Sequence, residues 1–205
     1  MPLRNRVTPF GEIISTADRG TLFGNRGVLH DPQGRLVRDW QVRRWIACRL
    51  EFRGRHRELL QPNRYTELFF LDEATALAAG HRPCAECRRE DYLRFQSVWA
   101  CANGEGARRA EDLDRVLHVE RIPVGAARPR FAGRMGDLPD GAMAVDGSRA
   151  VLVRAGALRP WSAAGYGAPR RIPPSAQVEV LTPASIVRVL AAGYRPSIHP
   201  TGTRR

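Results

Sequence analysis

The sequence predicts an α+β fold: strands and three helices over residues 1–122, a Gly/Pro/Arg-rich connection over 123–141, and a β-rich C-terminal part over 142–205. Three observations carry this. Short β-type segments precede residue 71, three helical patterns with capping residues occupy 72–121, and an alternating hairpin pattern follows the connection. At 205 residues with 43% hydrophobic content, the chain can build a core without disulfides.

Thr21-Leu22-Phe23 and Gly27 to His30 read as strands leading into Asp31-Pro32-Gln33-Gly34. That tetrad has Pro at its second position and Gly at its fourth, a turn signature, and Arg35-Leu36-Val37 returns from it. Trp45 to Phe52 alternates and is rich enough in β-formers for a strand, as is Tyr65 to Phe70. Asp72 is placed to cap a helix over Glu73 to Ala79, with Gly80 at its left-handed end. A second helix runs from Arg88 to about Cys101, with Glu90 and Asp91 in its first turn. Asn103 to Gly106 breaks it, and Glu111 to Arg121 forms a third helix with Leu113, Val116 and Leu117 on one stripe.

After the connection, Ala142 to Val145 and Ala150 to Val153 flank Asp146-Gly147, a tight-turn dipeptide. Val178 to Leu181 is a further strand, and Thr182-Pro183 opens a helix closed by Gly193. Leu77 to Pro83 echoes Leu190 to Pro196; helix-stop grammar shared by two helices accounts for this. The Trp161–Tyr166 segment is an aromatic loop that either caps the hairpin core or recognises a protein partner.

The charge is unusual. All 33 basic residues are arginine, against 21 acidic ones, for a net +12. GC-rich codon usage explains the missing lysine but not the surplus of positive charge, which favours a polyanion, nucleic acid first. No apolar run is long enough for a membrane span, and the arginine-rich start lacks an apolar signal region. The expected location is the cytoplasm, with no membrane partner.

In that compartment the four cysteines point to metal or catalysis rather than disulfides. Cys84-Ala85-Glu86-Cys87 is a C-x-x-C pair between a helix-ending Gly-His-Arg-Pro and the next helix. Two thiolates at this spacing can share one zinc ion, Zn2+, in a small zinc knuckle. A redox pair would follow a strand, whereas here a helix and a Pro-containing turn come first. Cys48 alone reads as a buried thiol within a strand. Cys101 is 14 residues beyond Cys87, roughly 21 Å along a continuous helix and out of reach.

Cys48-Arg49, the basic stretch through Arg53, Arg55 and Arg57, the Tyr65–Phe70 strand, the Ala-rich helix and Gly80-His81-Arg82-Pro83-Cys84-Ala85-Glu86-Cys87-Arg88 together resemble the metal-binding domain of the Ada-type DNA methylphosphotriester repair proteins. The resemblance covers about residues 45–90. It implies a zinc ion with Cys84 and Cys87 as one ligand pair and Cys48 as the first cysteine of the other. It also implies methyl transfer from a DNA phosphate to a cysteine, and basic residues that grip the backbone. The family's next cysteine falls four residues after Cys48, where this chain has Phe52.

A tetrahedral zinc with three sulfurs needs a fourth ligand. His81 stands where the family has a bulky aromatic, so packing is expected. His56 lies in a basic loop, His30 at a hairpin tip and His199 in a frayed tail. His118 has the best expected geometry: if the second and third helices pack antiparallel, it returns toward Cys84 and Cys87. Asp114, one turn earlier, would hold its ring.

The leading expectation is a zinc protein that contacts nucleic acid, DNA before RNA, with DNA repair as the context the resemblance implies. Cys48, Cys84, Cys87 and His118 would be ligands, and Arg49, Arg53, Arg55, Arg57, Arg82, Arg88 and Arg89 would meet phosphates. An enzyme is the alternative. It would be a zinc-dependent nuclease using Asp114, His118, Glu120 and Arg121, with no complete HNH-type signature, or a methyl acceptor at Cys48. The third reading is a structural zinc protein whose C-terminal part binds a protein.

Overall fold

A computed structural model of the protein describes residues 2–54, 58–104, 109–122 and 128–204. The fold is α+β, with two six-stranded sheets and four helices among the described residues. The first sheet is built from β1 (Arg4–Val7), β2 (Ile13–Ser15), β3 (Leu22–Asn25), β4 (Ile46–Cys48), β5 (Leu68–Phe70) and, after helix α1 (Glu73–Ala78), β6 (Arg82–Pro83). Its order is β2-β1-β5-β3-β4-β6. Helices α2 (Arg89–Asn103) and α3 (Ala110–Arg121) follow. The second sheet collects β7 (Phe131–Arg134), β8 (Met143–Asp146), β9 (Arg149–Arg154), β10 (Ala157–Ser162), β11 (Gly165–Tyr166) and β12 (Gln177–Val180), before helix α4 (Ala184–Ala191). It is antiparallel throughout, in the order β11-β10-β9-β8-β12-β7.

The alanine-rich composition of α1 has a packing reason. Ala76 and Ala79 face the first sheet, against Leu22, Leu68 and Phe70. Ala74 and Ala78, one turn apart, face the second, against Met143, Leu152 and Tyr166. Only small side chains let a helix sit between two sheets at such close range. Asp72 caps α1 as expected, accepting from the Thr75 amide at 2.9 Å, and its other oxygen accepts from the Tyr166 hydroxyl and the His199 amide, each at 2.9 Å. Buried Glu73 pairs with Arg88 at 2.8 Å and accepts from the Tyr194 hydroxyl and the Ser197 amide. The C-terminal stretch is therefore bolted to the start of α1, and His199 is not in a frayed tail. The aromatic loop caps rather than projects: Trp161 Nε1 donates to Thr75 Oγ1.

The largest apolar cluster joins Tyr92, Phe95 and Trp99 of α2 and Leu113 and Leu117 of α3 to Val151, Val153, Ile186 and Val189. The core thus runs continuously from the helices into the second sheet. Within the expected connection, β7 is an edge strand on β12. Its side chains are mostly exposed, so the backbone of β12 defines it more than its own pattern does. The Asp146-Gly147 hairpin forms in the expected register, with Asp146 opposite Arg149 and Gly147 at φ +61°. At α4, Thr182 does not cap: its hydroxyl accepts from the Met143 amide, and Glu120 of α3 receives the Ser185 amide instead.

Candidate metal centre

Two strand pairings assemble the site. Antiparallel β3 sets Phe23 opposite Cys48. Parallel β6 sets Arg82 beside Ile46 and Pro83 beside Ala47, so one more step brings Cys84 beside Cys48. Gly80, at φ +82°, makes the reversal from α1 into β6 possible. The amides of Arg82 and Cys84 donate to Trp45 O at 3.2 Å and Ala47 O at 2.9 Å. Pro83 lies between them on the sheet edge, where a missing N–H is tolerated. The turn into α2 then carries Cys87 back over Cys84, closed by the Arg88 amide on Cys84 O at 3.2 Å.

The result is a compact thiol cluster. The sulfurs of Cys48, Cys84 and Cys87 all lie within 4.8 Å of one another, and all three residues are buried. Phe23, Ile46, Phe52 and Phe69 wall them in. Cys84 is driven toward the thiolate by hydrogen bonds from Cys48 and Cys87, and by the backbone N–H groups of Cys87 and Glu86, against its burial. Cys48 is pushed up by its bonds to Cys84 and Cys87 and by burial. At Cys87 the bond with Cys48 lowers the pKa, while the bond with Cys84 and burial outweigh it and raise the value.

Such a group could hold a metal ion. Two sulfurs on one tetrahedral zinc at about 2.3 Å each lie about 3.8 Å apart, which the 4.8 Å upper limit on the three separations allows. Soft sulfur donors suit zinc among the common ions. The cluster lines an open cleft of about 580 Å3, with Arg44, Phe52, Tyr65 and Glu111 among its other walls. Among the described residues no fourth His, Cys, Asp or Glu joins the three cysteines.

Comparison with family models, with curated proteins and with solved structures returns no match. The site therefore stands on its own geometry.

His118, expected as fourth ligand, lies outside the cluster. Its ring packs edge-on against Trp40, 4.7 Å between centroids, and burial, Arg121 and Arg43 lower its pKa. Asp114 does not hold it; both carboxylate oxygens take Arg82, at 3.0 and 2.8 Å. α2 packs chiefly on α4 rather than on α3, and α3 does not return His118 to the cysteines. The hydrolytic group is likewise dispersed: Asp114 serves Arg82, Glu120 serves Ser185, and Arg121 donates to Gly80 O and Arg43 O.

The expected phosphate contacts divide. Arg82 and Arg88 are buried in ion pairs with Asp114 and with Glu73 and Asp91, so they are not surface cations. Arg49, Arg53 and Arg89 are exposed. Arg55, His56 and Arg57 lie outside the described residues. Cys101 is exposed and apart from the cluster, as its helix position requires. His81 is buried against Trp45 and Phe70, and His30 is buried with its Nδ1 2.7 Å from Thr66 Oγ1 rather than at an open tip. Sequence reasoning missed the cleft residues Arg44 and Tyr65; strand alternation back from Ile46 and Cys48 signals the first, and alternation back from Phe69 the second. Among the described residues, no helix is long and apolar enough to cross a membrane.

Proposed function

We propose that the chain binds one zinc ion through Cys48, Cys84 and Cys87, with the remaining coordination position turned to the cleft, and that it meets nucleic acid there. The convergence of three buried sulfurs within 4.8 Å at a cleft wall carries this reading. The Ada-type resemblance of residues 45–90 supports zinc and a DNA setting. Exposed Arg44, Arg49 and Arg53 near the cleft, within a chain of net +12, support phosphate contact. Bound zinc would keep all three sulfurs ionised, and three thiolates would leave the group with net negative charge.

That charge favours a second reading on the same site. Cys48 accepts an alkyl group: its sulfur forms a bond to the carbon, and the carbon–oxygen bond to a phosphate breaks with the electron pair leaving on oxygen. The open cleft favours this over a closed structural site.

The nucleic-acid part is tested by duplex binding across a salt series. The expected log–log slope is about −0.9 per phosphate neutralised, and R49Q and R53Q should each reduce it by roughly one such unit. Absence of binding at low salt would remove nucleic acid from the reading while leaving the metal site to its own test. Transfer is tested by incubating a methylphosphotriester duplex with the protein and mapping added methyl mass, expected on Cys48 and absent in C48S.

A further inference from the structure

The face of the first sheet opposite the cysteines carries a different group. Arg26 follows β3, Trp45 precedes β4 and His81 precedes β6, so alternation turns all three away from the thiol cleft. Arg121 from α3 and Arg128 close on the same place. The Arg26 and Arg121 guanidinium carbons lie 4.1 and 4.3 Å from the Trp45 ring centroid. The three arginines and Trp45 line a cavity of about 150 Å3.

Among the described residues, no carboxylate pairs directly with Arg26, Arg121 or Arg128; Asp39 acts on Arg26 and Asp114 on Arg121 only through space. Arg26 donates to His81 Nε2 at 3.3 Å and Gly11 O at 2.9 Å, which leaves Nη2 buried without a partner. Arg121 spends both terminal nitrogens on Gly80 O and Arg43 O and leaves Nε unpartnered. All three nitrogens of Arg128 are buried and unpartnered. The acidic residues on the cavity wall, Glu12 and Asp39, are both exposed. Gly11 and Gly80 make room for the cluster: a Cβ on Gly11 would come 3.0 Å from Arg128 Nη1, and one on Gly80 would come 2.7 Å from Arg121 Cδ.

Burial, then Arg128 and Arg121, pull the Arg26 pKa down. Burial leads the same effect at Arg121, to about 9, and at Arg128, to about 10. All three guanidiniums nonetheless stay charged at neutral pH, since arginine does not deprotonate in proteins. Buried cations without a paired counter-charge are costly, and buried, unpartnered guanidinium N–H groups on a cavity wall are groups that an oxyanion satisfies.

We propose that Arg26, Arg121 and Arg128 form a buried site for one tetrahedral oxyanion of the phosphate class, separate from the cysteine cleft. The group is either free phosphate or a phosphoryl end of a larger ligand.

The test titrates full-length protein, purified in chloride, with inorganic phosphate at constant ionic strength, by calorimetry and thermal unfolding. Saturable 1:1 binding is expected, with Tm rising by roughly 6 °C at a hundred times Kd. R128Q and R26Q should each weaken binding at least tenfold. In chloride alone, R128Q should unfold at or above the wild-type temperature, because it removes a like charge from the cluster. Failure of phosphate to bind saturably, or equal binding by wild type and R128Q, would overturn the site. Competition between phosphate and a 5′-phosphorylated oligonucleotide assigns the group to a nucleic-acid end, and lack of competition assigns it to the free anion. Metal content reads the cysteine site separately and should not change in R128Q.

Discussion

Replacing Asp114 with Asn would leave the Arg82 guanidinium buried beside an amide that cannot neutralise it. Arg82 is 1% exposed, and its Nε and Nη2 both donate to the Asp114 carboxylate, at 3.0 and 2.8 Å. Burial pushes the Asp114 carboxyl up, and the Arg82 contacts offset this only in part. The pair is therefore no large net source of stability, yet breaking it is expensive. Removing one partner of a buried pair costs about 3–5 kcal/mol, while replacing both by apolar groups is close to neutral. With unfolding entropy of roughly 2.1 cal/mol/K per residue, that cost lowers Tm by roughly 7–12 °C in a chain of this size. The assay is thermal unfolding followed by circular dichroism on wild type, D114N, and the double variant R82M/D114L. The double variant should unfold well above D114N. A fall of less than about 2 °C in D114N, or a double variant worse than D114N, would refute the pairing argument.

Three further outcomes follow from other parts of the structure. W99A should cost about 3–5 kcal/mol, because Trp99 is 1% exposed in the cluster joining α2 to the second sheet; denaturant unfolding reads it. His81 is buried among Arg26, Arg121 and Arg128, and burial first, then those charges, hold its pKa well below 6.5. The unfolded chain binds a proton there below pH 6.5 and the folded chain does not, so stability is lost as pH falls. The loss should approach about 1.4 kcal/mol per pH unit, and H81F should lack that part of the slope between pH 6.5 and 5. H118A should leave metal content unchanged and lose no more than about 1 kcal/mol, since the ring contributes one aromatic contact with Trp40.

Much of this was legible from local signals. Asp72, Gly80 and Asp146-Gly147 sit in the conformations their residue types favour, because caps and tight turns are decided within four residues. Cys84 and Cys87 were legible for the same reason. Cys48 needed a parallel pairing of β4 with β6 across more than thirty residues, which no local pattern contains; the family resemblance suggested it. His118 failed at the tertiary level: its helix was placed correctly, but the partner of α2 is α4, which lies some eighty residues away. The buried arginines were hidden by their type. Arg82 and Arg88 read as phosphate contacts and Arg121 as part of a hydrolytic group in a sequence with 33 basic residues, and only the fold shows them, with Arg26, enclosed.

The central claim rests on the three sulfurs, and metal analysis coupled to thiol alkylation tests it most directly. Protein purified without chelator should carry one zinc per chain, with Cys101 alkylated rapidly and Cys48, Cys84 and Cys87 protected until chelation. C48S, C84S and C87S should each lose zinc, and C101S should keep it. A folded wild-type chain free of metal, or Cys48 alkylated as fast as Cys101 in the zinc-loaded protein, would contradict the account.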